Sequence, residues 1–507
     1  MMKSDMTGSY REPQAGDVYA FWIERMGIYG ALQVTGFRVN KYFSRSKPLP
    51  AVLLLDWARG TLPSENDLPR MRPFVQEHYN WNNKDIVHCI VAEYISSDYV
   101  FIGNLPPLFS TDNLQSYRSE LPDGCEHYLA ARWEQFPAEL RKRYKGGGGR
   151  WSSLTENNVR DALPNFRDFS DLLALPRLIK LTWGTYSSGL NEFLKSNPLL
   201  NELALQDRQP EILDFRGTGI REVSINPDGV KEIHLSDCMA RLSFDKPIHD
   251  SLVIHDEHCG RFLELGIQDD SAIPTSLAQL QGLTVLSIKN CDLMPIGHAW
   301  PALYSLQLCG QPGKIRNLSA LAQLKQLRFF YGKDIFGFTP DDFPAPENFP
   351  ALRKLSLIGI PAEAGVKIKK QYRPRTKADL MLDIRQLRSQ EWLALNQNNP
   401  FRNWDGNEDI PRACVKKAFA VYQKTRATLL EFIPSDGQLQ EKCTQALREY
   451  IEAFNKMDCR YEFIDTVLRE QIACDVPSAL MVEAKGRYGN VVDIEKINAM
   501  VDECRNF

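Results

Sequence analysis

Apolar positions fall into three textures along the chain. From residue 14 to 110 they come in short β-branched or aromatic runs: GDVYAFWI (16–23), YGALQVTGF (29–37), AVLLLDW (51–57), DIVHCIVAEY (85–94) and DYVFIG (98–103). Gly, Pro and Asn clusters separate them, which predicts strands and a small N-terminal β-barrel-like domain. A helix follows in GCEHYLAARWEQFPAELRKRY, where Leu129, Trp133, Phe136 and Leu140 recur at helical spacing. It ends at RKRYKGGGGRW (141–151), a run of four glycines.

Past Trp151 the texture becomes a repeat. LPRLIKLTW (175–183), NPLLNELALQD (197–207), LQGLTVLSIKNC (280–291), WPALYSLQLCG (300–310), LAQLKQLRFF (321–330) and FPALRKLSLIG (349–359) carry LxxLxL or a close variant. Tighter versions lie between them: GIREVSIN, GVKEIHLSDC, ARLSFD, DSLVIHD and RFLELGI. The central apolar residues sit at 181, 203, 223, 233, 242, 252, 263, 286, 306, 327 and 355. The wider spacings match one leucine-rich-repeat coil each; the spacings near 10 predict short or irregular coils. An ordinary α/β sheet with leucine-rich strands is the competing reading, and recurrence in one register favours the repeat.

From about 361 the pattern changes again. KIKKQYRPRTK (367–377) is basic, NQNNPFRNWDGNEDIP (396–411) is turn-rich, and helical stripes follow. Val415, Phe419, Tyr422 and Leu430 share one face, and Leu439, Cys443, Leu447, Ile451 and Phe454 another, with PSDG (434–437) between. The expected architecture is multidomain α/β. A β-rich domain spans 1–144 and a Gly-rich linker 145–160. A leucine-rich-repeat solenoid spans 161–361, a basic and polar linker 362–410, and a C-terminal α-helical bundle 411–507.

Composition narrows the chemistry. The chain has 507 residues, is 43% apolar and 25% charged, and carries a net charge of −3, so no overall field favours nucleic acid. KIKKQYRPRTK reads as a solvated linker before it reads as a nucleic-acid contact. No window of 18 consecutive apolar residues offers a membrane span, and the start lacks a signal peptide's apolar run. Eleven cysteines lack CxxC spacing, which fits free thiols and a cytoplasmic setting.

Catalytic signatures are thin. The glycine run lacks the GxxxxGK[ST] of a P-loop and follows a helix instead of opening one, so it reads as a flexible hinge. HDEHC (255–259) offers two histidines and a cysteine, near His249 and Cys238, but no second pair completes four zinc ligands. We therefore expect no metal, no cofactor and no catalytic residue. All eight histidines lie at or before His298, so no Cys–His dyad forms within the C-terminal helices.

The repeat surface is then the best functional argument. Residues flanking the central leucine of each coil should project from a concave sheet. They provide Glu202, Glu222, Ser224, Glu232 and His234 early, and Ser287, Gln307, Arg328 and Lys354 later, with Lys289 just outside its strand. That is an expected acidic-to-basic gradient, suited to selecting one protein partner by charge. The expected state of the chain alone is a monomer.

Residues 175–359 resemble bacterial leucine-rich-repeat proteins on the runs quoted above. The segment GDVYAFWIERMGIYGALQV (16–34) resembles the opening strands of small β-rich immunity proteins encoded beside polymorphic toxins, matching at Gly16, Asp17, Tyr29, Gly30, Gln33 and Val34. The resemblance implies a non-catalytic antidote that binds and occludes a cognate toxin domain in the cytoplasm. Two other classes stand beside it. One is a scaffold or regulator with several protein partners. The other is a repeat-containing effector enzyme of the ubiquitin-ligase type, whose Cys-acid motif is similar to Cys474–Asp475; residues 411–507 are short for that family.

Overall fold

The computed structural model describes residues 12–39, 48–76, 85–91, 95, 98–114, 116–118, 120–146, 151–377, 379–407, 409–432, 437–488 and 492–507. The chain divides into two compact units, residues 1–394 and 395–507.

The N-terminal runs form one six-stranded sheet. Its order is Val100–Asn104, Asp17–Ile23, Ile28–Arg38, Leu49–Arg59, His88–Val91 and Ser116–Arg118. The first and last of these are opposite edges, so the sheet is open and the expected barrel is not formed among the described residues. Closure is not needed to bury it, because both faces are covered. Tyr19, Phe21, Leu32, Val34, Val52 and Leu54 pack on one side; Val18, Ala31, Leu53, Leu55 and Trp57 pack on the other. That is why AVLLL is apolar without alternation.

The residues behind the immunity-protein resemblance have structural tasks here. Gly16 adopts a φ of +95°, and its amide donates to the Val34 carbonyl at 2.7 Å. Buried Asp17 accepts from the Gln14 amide and from Asn104 Nδ2, each at 2.9 Å. Buried Gln33 donates to the Leu105 carbonyl and accepts from the Leu108 amide, tying the sheet to the loop that follows it.

The repeats build an eleven-stranded parallel sheet running in chain order from Ser153–Thr155 to Met381–Arg385. Registers match coil to coil: Leu181 pairs with Leu203, Leu203 with Val223, Val223 with Leu242, Leu242 with Leu265 and Leu265 with Leu283. All six are buried, so stacked coils share one core.

The apolar residues spaced near 10 have a different origin from the one expected. Ile212–Asp214, Glu232–His234 and Val253–His255 form a second, three-stranded parallel sheet. Each coil between Glu202 and Gln268 therefore has one strand in the long front sheet and one in this back sheet. The coils are neither short nor irregular; a back strand replaces the helix used elsewhere, as in Ser188–Ser196 and Leu293–Ala299. Leu213, Ile233 and Ile254 point into the shared core.

Two boundaries move. KIKKQYRPRTK is not a linker: Ala362–Tyr372 is the backing helix of the last coil, with Ile368 and Tyr372 fully buried. The Tyr372 hydroxyl donates to the Pro344 carbonyl at 2.9 Å, and Arg375 donates to the Phe349 carbonyl at 2.8 Å. Its basic residues flank a buried face, a helical period that a count of charges hides. At the other end, Ser153–Thr155 already pairs with the next strand, so the repeat begins inside the expected Gly-rich linker. Of that linker's glycines, residues 147–149 lie outside the described residues, as does Arg150.

The β-rich domain leans on the leading ends of the front strands. Trp133 and Leu129 of helix Cys125–Gln135 cluster with Tyr144 and with Leu199, which precedes the strand Glu202–Leu205. Arg25 donates to the Asp237 and Met239 carbonyls at 3.1 and 3.0 Å. Glu24 pairs with Arg261, and Asp98 with Arg328.

The second unit is helical as expected. Arg412–Glu431, Leu439–Tyr461, Val476–Tyr488 and Ile494–Cys504 surround Leu447, Ile451 and Phe454. Phe401 and Trp404, from the turn-rich stretch assigned to a linker, join that core. The PSDG break falls mostly outside the described residues. No described helix is long and apolar enough to cross a membrane. All eleven cysteines are free.

Candidate protein-binding face

The front sheet presents two rows of side chains that alternate with the buried leucines. The leading row reads Lys180, Glu202, Glu222, Arg241 and Glu264 across adjacent strands. It continues through Gly282, Ser305, Phe329, Lys354 and Met381. The second row is small at its start: Thr182, Ala204, Ser224, Ser243, Gly266 and Thr284. Gln307, Tyr331, Ser356 and Asp383 extend it.

Five of the six charged residues along the leading row are paired with one another. Lys180 Nζ lies 3.0 Å from Glu202, and Arg241 bridges Glu222 and Glu264 at 3.0 Å each. Partial burial alone would lower the Arg241 pKa, but Glu264 and Glu222 outweigh it and raise the guanidinium above its ordinary value. The expected acidic beginning of the gradient is therefore largely offset by Lys180 and Arg241, which flank Leu181 and Leu242 on the same face.

The predicted residues separate into four groups. Glu202, Glu222, Ser224, Gln307 and Lys354 do project from the front sheet. Glu232 and His234 do not; they belong to the back sheet, because KEIHL and REVSI carry the same apolar alternation in different layers. Ser287 and Lys289 sit on a bulge of the strand Gly282–Asp292, where the register with the next strand shifts and Ser287 takes a φ of +55°. Inward positions there are Leu283 and Val285, so Thr284 projects instead. The buried Asp269 carboxylate holds the bulge by accepting from the Lys289 and Asn290 amides at 2.8 and 2.9 Å.

Arg328 lies just before the strand Phe329–Phe336. It pairs with Asp98 and covers the Tyr304 ring at 5.2 Å, so it fastens the β-rich domain to the repeats. Glu120 approaches Lys354 and Glu264 from the same domain. Although the residue retains exposed surface, desolvation raises its carboxyl pKa, with Lys354 opposing and Glu264 adding to the rise.

On the back sheet, in-register pairing places Asp214, His234 and His255 in one outward row and Ile212, Glu232 and Val253 in the other. The imidazoles of His234 and His255 stack at 4.4 Å between centroids, with planes 9° apart. His258, the second histidine of HDEHC, instead meets the Phe262 ring edge at 5.1 Å. HDEHC groups neighbours in sequence, whereas the imidazole beside His255 belongs to His234, one coil earlier.

Cys474 occupies a π-helical turn, Gln471–Asp475. Desolvation first, and then the Glu470 carboxylate, push its thiol pKa up, which favours the protonated form over the nucleophilic thiolate.

No family model matches the chain, and no curated protein matches it. Among solved structures, one described as the crystal structure of the LRIM1/APL1C complex aligns over 69% of this chain and 92% of that chain, with 12% identity and a TM-score of 0.19. So low a TM-score carries no argument, and the solenoid-like α/β architecture rests on the strand registers themselves.

Proposed function

We propose that the chain is a non-catalytic antidote of the cytoplasm that binds one cognate toxin domain through the front sheet and covers its working surface. The observation that supports it is the front face itself: eleven parallel strands, a contour of about 48 Å at the usual strand spacing, with a row of small side chains along its middle. Small residues let a partner approach the sheet closely. Pairing along the leading row reduces the field that would attract many partners, so shape and the second row select the partner. The antidote role rests on the resemblance at Gly16, Asp17, Tyr29, Gly30, Gln33 and Val34.

The test is a pull-down of the full chain from its native cells, followed by binding and toxicity assays with the recovered partner. Ser224→Arg and Ser243→Arg, which place long side chains on the second row, are the variants. One partner held tightly, neutralised by the wild type and released by either variant is the expected result. Retention by both variants moves the contact off the front sheet. Several weak partners would favour a scaffold instead.

A further inference from the structure

We infer that Glu232, His234 and His255 on the back sheet form a binding site for a divalent transition metal, zinc foremost. Strand pairing places the two imidazoles side by side, and Glu232 reaches across from the neighbouring row. Glu232 Oε2 lies 3.6 Å from His234 Nε2 and 3.8 Å from His255 Nε2. One ligand atom from each residue falls within 4.8 Å of the others.

Those separations are too long for hydrogen bonds but close to the edge of a coordination tetrahedron. With metal–ligand bonds of about 2.0–2.1 Å, tetrahedral ligands stand about 3.3–3.4 Å apart. The stacked rings, 9° apart, hold their nitrogen lone pairs in parallel planes, so binding turns at least one imidazole about χ1 and χ2 to bring both Nε2 lone pairs onto one ion. The donor chemistry narrows the ion. Two imidazoles and one carboxylate suit zinc, with cobalt, nickel and copper as competitors, and suit calcium or magnesium poorly.

The platform beneath is hydrogen-bonded and packed on the core. Ile233 and Ile254 alternate with the ligands and are buried in the repeat core. The His234 carbonyl accepts from the Phe215 amide at 2.9 Å, and the His255 carbonyl from the Leu235 amide at 3.0 Å. Both histidines are thus fixed at the backbone before any ion arrives. Asp214 stands in register beside His234 and adds negative charge, partly offset by Arg216, which donates to it at 2.8 Å. His234 and His255 also line a cleft of about 550 Å³ with Arg216, Asp256 and His258. Three protein ligands beside such a cleft leave a fourth position for water or a ligand from a partner.

The test uses the full-length protein, stripped with a chelator and kept reduced without added thiol. Zinc affinity is measured by competition with a chromophoric chelator, and cobalt(II) is followed by its visible spectrum. We expect one ion per chain at this site and cobalt d–d bands without a thiolate charge-transfer band. His234→Ala and His255→Ala should each weaken binding at least about tenfold, and Glu232→Gln several-fold. His258→Ala and Cys259→Ser should leave the affinity within about twofold. His255→Gln, which keeps the side-chain bulk, repeats the measurement if the alanine variant loses its circular-dichroism spectrum. Equal zinc uptake by the wild type and a His234→Ala/His255→Ala double variant would overturn the assignment, as would loss of the ion on removing His258 or Cys259.

Discussion

The two strand layers of the coils between residues 202 and 268 share one core and differ in what they show outside. On the front sheet, in-register stacking brings Glu222, Arg241 and Glu264 together, and opposite charges alternate. On the back sheet the same stacking brings His234 onto His255 and leaves one carboxylate near both. A parallel ladder repeats whatever each coil supplies, so alternating sequence makes a self-satisfied surface and repeated sequence makes a concentration of like donors. The first row stabilises itself; the second is built to receive something.

The largest effect that tests this comparison lies beneath both layers. Leu242→Ala in the front and Ile233→Ala in the back should each cost about 2–5 kcal/mol in chemical denaturation, because both side chains are fully buried. A loss confined to one of them would mean that the layers do not share a core. Next in size, Arg241→Glu removes two ion pairs and sets acidic residues on four adjacent strands. About 1–2 kcal/mol should be lost at low salt, and much of it should return in high salt. Salt-independent loss would mean that packing of the arginine stem, not charge, holds the row.

A pH effect distinguishes the β-rich domain from both faces. His127 is buried against the Leu55 carbonyl at 3.1 Å, and desolvation lowers its pKa below the ordinary 6.5. The unfolded chain then binds the extra proton first, so stability is complete above about 6.5 and falls as the pH drops toward the lowered folded value. In urea titrations across that range, His127→Gln should flatten the dependence; an unchanged slope would assign it to other groups. Smallest of all, His234→Ala in the metal-free chain should alter stability by no more than about 0.5 kcal/mol, since the side chain only covers the sheet. A larger cost would make the stacked pair a structural element in its own right.

Much of the architecture was legible in the chain. LxxLxL in LLNELAL and its tighter version in GIREVSIN located front strands, and the Leu447, Ile451 and Phe454 stripe located a core helix. Register failed where the motif allowed two phases: LTVLSI has leucines at 283 and 286, and only the bulge at Ser287 decides which faces in. KIKKQYRPRTK misled because its buried Ile368 and Tyr372 are sparse among lysines and arginines. The front face was half legible: Glu202 and Gln307 flank leucines of clear LxxLxL runs, whereas Arg241 and Glu264 flank those of the shorter ARLSFD and RFLELGI.

By itself the sequence determined the buried residues of the strands with clear alternation, because an apolar side chain at every second position of a short strand has no other stable place. It did not determine the layer to which each strand belongs. KEIHL and REVSI bury the same pattern against the same core from opposite sides, and only the closed coil assigns one to each sheet. That assignment brings together His234 and His255, 21 positions apart, since hydrogen bonding between coils pairs residues by register and not by proximity along the chain.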